Sequence, residues 1–68
     1  MAKTSQRSEN QKLNGIIQML IGSIKTSDKK GILNAYELAK SVNLDVVDDK
    51  IFETYDLLVG EANEVLIN

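Results

Sequence analysis

The sequence predicts an all-α fold: a small three-helix domain, helix-turn-helix-like, with a C-terminal segment that is either helix or strand. Three observations predict this class. The chain has 68 residues, of which 43% are hydrophobic and 26% are charged, a balance typical of one globular domain. Its apolar residues recur at helical spacing, and a capping residue precedes each such stretch. We therefore predict a flexible basic arm over residues 1–7 and a single helical domain over residues 8–68.

The first helix is predicted over residues 9–25. Ser8, with Gln11 three residues later, forms the capping-box pattern that starts a helix. One apolar stripe follows at three- and four-residue spacing, and it comprises Leu13, Ile16, Ile17, Leu20 and Ile24. The polar residues 26–31 then predict a connecting loop that ends at a glycine.

The apolar surface of the first helix is broader than one small neighbour covers. Met19 and Ile21 widen the stripe, and Gly15 and Gly22 share one face, as in a seam where two helices approach closely. A kink or an early helix end is the other reading of these glycines. Short chains without disulfides often gain stability by self-association. We therefore expect a homo-oligomer whose interface comprises Ile17, Met19, Leu20 and Ile21.

The second helix is predicted over residues 35–42. Asn34 is its expected N-cap, with Glu37 three residues later, and Leu33 and Leu38 have the spacing of a hydrophobic staple. Asn43 is expected to end this helix in the left-handed conformation.

The third helix is predicted to begin after Asp45, which is its expected N-cap. Its apolar stripe steps by four, four and three residues and comprises Val47, Ile51, Tyr55 and Leu58. Gly60 either ends or interrupts this helix. Residues 61–68 can continue the helix or form a short strand, because so few residues do not define a periodicity.

Residues 35–58 resemble a helix-turn-helix motif. Small Ala39 stands where two helices cross closely, and Asn43 stands where the turn usually has glycine. Asp49 departs from the motif, because it occupies a position that is normally apolar. A plain helix pair joined by a capped turn is the alternative.

The composition excludes most chemistry. The chain has no proline, cysteine, histidine or tryptophan, so zinc sites, haem ligation, disulfides and Cys/His catalysis lack their residues. Its four glycines are scattered and form no phosphate-binding loop. We therefore expect no enzyme activity, no cofactor and no metal site. No segment has the length and apolarity of a membrane span or a signal peptide, and a cytoplasmic location is expected.

Charge divides the chain into two halves. Residues 1–30 hold six basic and two acidic groups, whereas residues 31–68 hold two basic and eight acidic groups. Asp49, Glu53 and Asp56 follow at i, i+4 and i+7 and therefore share one face of the third helix. We predict that this stripe binds a basic surface of a protein partner. A solvated face, or a contact with the basic half of the same chain, is the alternative.

Together these observations predict a small regulatory or adaptor protein that acts by protein–protein binding through helical surfaces, as a homo-oligomer. The alternative is a helix-turn-helix-like DNA-binding transcriptional regulator that uses the basic N-terminal arm. Its candidate nucleic-acid contacts are Lys3, Arg7 and Lys12, or else the group Lys25, Lys29 and Lys30 near the end of the first helix. DNA binding is disfavoured because the third helix presents carboxylates, which phosphates repel. A structural subunit of an assembly is a third reading.

Overall fold

The computed structural model describes the backbone of residues 2–68 and the side chains of residues 6–68. It has three helices, α1 (Ala2–Thr26), α2 (Lys29–Ala39) and α3 (Asp49–Ile67), and no strand within residues 2–68. Both α2 and α3 pack chiefly against α1 and contact each other less. The predicted all-α class is confirmed. Over the same described residues, no helix is long and apolar enough to cross a membrane.

The first helix begins earlier than predicted. α1 starts at Ala2, so Ser8 lies inside it and is not an N-cap. The capping-box pattern does not start the helix because the preceding Gln6 and Arg7 are themselves good helix formers. Met1 and the side chains of residues 2–5 lie outside the described part of the chain, and the flexibility expected of the arm stays a prediction.

A tight turn of Ser27 and Asp28 joins α1 to α2. Ser27 has φ 55°, and the amides of Ser27 and Asp28 donate to the carbonyls of Ile24 (3.2 Å) and Ser23 (2.8 Å). These two bonds form a Schellman motif. The Asp28 carboxylate then caps α2 by accepting a hydrogen bond from the Gly31 amide at 3.1 Å. The connecting loop is therefore shorter than predicted.

Gly31 lets α2 start close to the end of α1. A Cβ atom here would clash with Ser23 Oγ and lie 2.9 Å from Asp28 Oδ2. The Ser23 hydroxyl can rotate away, whereas the capping bond holds the Asp28 carboxylate in place. The turn and its cap therefore favour glycine at this position.

The predicted N-cap at Asn34 is wrong. α2 already begins at Lys29, so Asn34 lies in its interior and is exposed. The expected staple is also wrong, since Leu33 and Leu38 are 55% and 49% exposed. Asp28 is the cap because the Schellman turn brings its carboxylate to the unpaired amides at the start of α2, upstream of Asn34.

Residues 40–48 connect α2 to α3. The amides of residues 40–42 donate to carbonyls three residues earlier, which tightens the end of α2. Within the described backbone Ser27 is the one non-glycine residue with positive φ, so Asn43 is not left-handed as predicted. Instead, Asn43 Oδ1 accepts a hydrogen bond from the Asp45 amide at 3.1 Å, as in an Asx turn. The three helices are compatible with a helix-turn-helix-like arrangement, which stays a prediction.

Asp48, and not Asp45, caps the third helix. Its side chain accepts a hydrogen bond from the Lys50 amide at 2.9 Å, and α3 starts at Asp49. The carboxylate of Asp45 is out of reach of these amides because the Asx turn precedes the helix by several residues. The predicted start is therefore too early.

Two polar side chains of α1 hold the connection. Glu9 Oε1 accepts a hydrogen bond from the Asn43 amide at 2.6 Å, and Asn10 Oδ1 accepts one from the Asp48 amide at 2.8 Å. Because Asp48 is also the cap of α3, these contacts help to fix where the third helix begins. Lys12 forms an ion pair with Glu9 at 3.0 Å. The Asn43 amide, with Lys12 beside it, lowers the pKa of the Glu9 carboxyl.

The core lies where α2 and α3 cover α1. Its buried residues are Leu13, Ile16, Ile17, Leu20, Ile32, Ala35, Ala39, Val42, Val47 and Ala62. The predicted stripe of the third helix is confirmed, since Ile51, Tyr55 and Leu58 pack against this core beside Val47. Gly60 lies within α3, and the tail continues the helix to Ile67, so the helical alternative is correct.

A side-chain hydrogen bond links α2 directly to α3. The Tyr36 hydroxyl donates to Asn63 Oδ1 at 2.7 Å. Partial burial raises the pKa of this tyrosine. The bond orients the two helices over α1 and leaves the far side of α3 to solvent.

Candidate functional site

The predicted acidic stripe lies on the side of α3 that faces solvent. Asp49, Glu53 and Asp56 are all exposed, and helical periodicity puts them opposite the buried Ala62 and the residues packed beside it. Glu64 extends the stripe, because it lies two turns beyond Asp56 and is exposed. The structure therefore brings the three predicted residues together on one surface.

An exposed leucine stands among these carboxylates. Leu57 is 72% exposed, with Glu53 one turn before it and Glu61 one turn after it. We call this surface the acidic face, and it comprises Asp49, Glu53, Asp56, Leu57, Glu61 and Glu64. Leu57 was not among the residues predicted from the sequence. The sequence feature that could have indicated it is an apolar residue outside the core stripe, on the charged side of a helix.

The acidic face has no ion-pair partner within the described part of its own chain. Among side chains 6–68 the ion pairs are Lys12 with Glu9 and Lys40 with Glu37. Lys50, the one basic residue of α3, lies at the rim of a shallow depression beside Leu57. The alternative in which the stripe packs against the basic half of the same chain is therefore not the observed arrangement.

The residues predicted for an oligomer interface do not form one surface. Ile17 and Leu20 are 5% and 0% exposed and belong to the core, because α2 and α3 of the same chain cover them. Those two assignments are wrong. Met19 is 38% exposed and Ile21 is half-buried, so an interface through these two side chains stays a prediction.

Gly15 and Gly22 face open space. No atom of the described chain would lie within 4 Å of a Cβ built on either glycine. Neither α2 nor α3 therefore approaches either glycine. The seam with a second copy stays a prediction, and α1 does not end at either position.

Two of the candidate nucleic-acid contacts, Arg7 and Lys12, have different surroundings on α1. Arg7 is exposed beside the amide side chains of Gln6 and Asn14, whereas Lys12 is paired with Glu9. The side chain of Lys3 lies outside the described residues. The contacts of Glu9 and Asn10 with the connection were not predicted, because their partners are backbone amides far away in the sequence.

The described side chains 6–68 contain no group of three acidic residues arranged to hold a metal ion. What the site offers chemically is a negatively charged, partly apolar helix face. Comparison with protein-family models, curated proteins and solved structures finds no match to this chain.

Proposed function

We propose that the protein is a small regulatory or adaptor protein of the cytoplasm that binds a basic surface of another protein through the acidic face. The observation that carries the proposal is Leu57, 72% exposed among exposed carboxylates that no described cation of the same chain pairs. Burying an apolar side chain of this size contributes about 1.5–3 kcal/mol. In the free protein Leu57 stays in contact with water, so this stabilisation arises only in a complex whose partner covers Leu57.

The carboxylates around Leu57 have a different role in this proposal. Charged groups at the rim of an interface add little affinity, but they speed association with a surface of opposite charge. Glu53 and Asp56 flank the leucine and repel each other in the free protein. A basic partner removes that repulsion, and the effect weakens as salt concentration rises.

DNA binding ranks second because the acidic face repels phosphates and Lys12 is engaged by Glu9. A regulator of that kind would depend on Arg7 and on Lys3. Neutralising Lys3, Arg7 and Lys12 together leaves protein capture unchanged under our proposal and abolishes nucleic-acid binding under the alternative.

The proposal is tested by affinity capture from the native cell, with nuclease treatment to remove nucleic acid. The test variant is Glu53→Lys with Asp56→Lys, and the matched control is Glu37→Lys with Asp45→Lys. Both variants change the net charge equally, and all four carboxylates are exposed. We expect the wild type and the control to retain the same partners and the test variant to lose them. Equal retention by the test variant would show that the stripe is only a solvated face.

A further inference from the structure

The chain carries a second charged surface whose sign is opposite to that of the acidic face. Lys25 lies in the last turn of α1, and Lys29 and Lys30 begin α2; all three are exposed. Leu33 lies one helical turn beyond this pair of lysines and is 55% exposed. We call these four residues the basic corner. In each of the two surfaces an exposed leucine thus lies among charges that are mostly of one sign, with Lys50 beside Leu57 and Glu37 one turn beyond Leu33 as the exceptions.

The two surfaces do not meet within one chain. No ion pair joins them among side chains 6–68. Leu57 lies about 120° around α3 from Asn63, which contacts Tyr36 of α2. Leu57 and Glu61 of the acidic face are therefore turned away from α2 of their own chain and are open to a second molecule.

We infer that the basic surface bound by the acidic face is the basic corner of a second copy of this chain. This inference rests on the proposed function and names its partner. Lys29 and Lys30 carry charges opposite to those of Glu53 and Glu61. In the complex Leu33 packs against Leu57, and both side chains are removed from water. When the copies pair head to tail, the contact is heterologous, and each bound copy leaves one surface of each kind open. Assembly therefore continues into a ring or a chain.

This geometry makes a prediction that a symmetric dimer formed through α1 does not share. The acidic-face variant, Glu53→Lys with Glu61→Lys, keeps its basic corner. The basic-corner variant, Lys29→Glu with Lys30→Glu, keeps its acidic face. Each variant alone should stay monomeric in analytical ultracentrifugation at concentrations where the wild type associates. An equimolar mixture should associate again, because the basic corner of one variant meets the acidic face of the other and their two reversed surfaces also carry opposite charges.

Misfolding is separated from loss of the contact by a third variant that carries all four reversals in one chain. It should associate as the wild type does, because both surfaces have exchanged sign together. Association of the wild type and of this variant should weaken as salt concentration rises.

Several outcomes would overturn the inference. A wild type that stays monomeric at millimolar concentration contradicts it, as does a basic-corner variant that associates like the wild type. A mixture of the two variants that fails to pair, while the four-reversal chain is folded, also contradicts it. If the wild type is monomeric and yet captures a partner that Glu53→Lys with Asp56→Lys loses, this inference fails and the proposed function stands.

Discussion

Replacing Ser27 by glycine should stabilise the protein. Ser27 has φ 55°, in the left-handed region, and its conformation is fixed by the two Schellman bonds that end α1. A residue with a Cβ atom pays roughly 1–2 kcal/mol in this region. Glycine loses about 0.5–1 kcal/mol more conformational entropy on folding. The difference favours Ser27→Gly by roughly 0.5–1 kcal/mol.

This gain is large enough to measure by thermal unfolding. The entropy of unfolding is about 2.1 cal/mol/K per residue, so for a chain of this length the melting temperature should rise by roughly 3–7 °C. Ser41→Gly is the matched control. Its backbone has negative φ, and its hydroxyl donates to the Leu38 carbonyl at 2.8 Å. We expect this control to lower the melting temperature. A decrease for Ser27→Gly as large as for Ser41→Gly would refute the description of the turn.

Three further changes test other parts of the fold by thermal unfolding. Tyr36→Phe should lower the free energy of unfolding by about 0.5–1.5 kcal/mol, because it removes the hydrogen bond to α3. Tyr55→Phe should lower it less. Equal losses would contradict the link between the two helices. Gly60→Ala should stabilise the folded protein by about 1 kcal/mol, because the position is open and lies inside α3. Gly31→Ala should not stabilise it, because its Cβ atom would disturb the cap of α2. A loss of stability for Gly60→Ala would contradict a continuous helix. The folded state lowers the pKa of Glu9, so its charge adds stability that is present above the ordinary pKa and lost as pH falls through the folded value. Glu9→Gln should therefore flatten the fall of the melting temperature below pH 4.5, and an unchanged acid profile would contradict the contact.

The apolar stripes could be predicted because burial acts on many residues at once. Leu13 and Leu20 on α1, and Ile51 and Leu58 on α3, all contact the core as their spacing indicated. Ile17 and Leu20 were assigned to an oligomer interface, but α2 and α3 of the same chain cover them. The pattern of α1 alone does not contain that packing arrangement.

Helix boundaries were less predictable, because each depends on one residue among several of similar capping ability. Asn34 and Asp45 have the side chains of N-caps, but Asp28 and Asp48 act as the caps. The choice of Asp48 depends on the contact of its amide with Asn10, which joins residues far apart in sequence. No local pattern reports such a contact.

Part of the acidic face could be predicted from the sequence. Carboxylates at i, i+4 and i+7 define a stripe without further information, and Asp49, Glu53 and Asp56 are exposed as expected. Leu57 was missed because one apolar residue off the stripe is common on helices. Its exposure of 72% indicates a binding surface, and that exposure is known only when the position of the core is known.

The most direct test of the central claim is an NMR titration that maps where the acidic face is bound. The isotope-labelled protein is the basic-corner variant, Lys29→Glu with Lys30→Glu, and the unlabelled protein is Glu53→Lys with Glu61→Lys. We predict that amide signals of residues 53–64 in α3 shift on addition and return as salt concentration rises. Shifts centred on Met19 and Gly22 of α1, or no shift at any concentration, would contradict the claim that the acidic face binds the basic corner of a second copy.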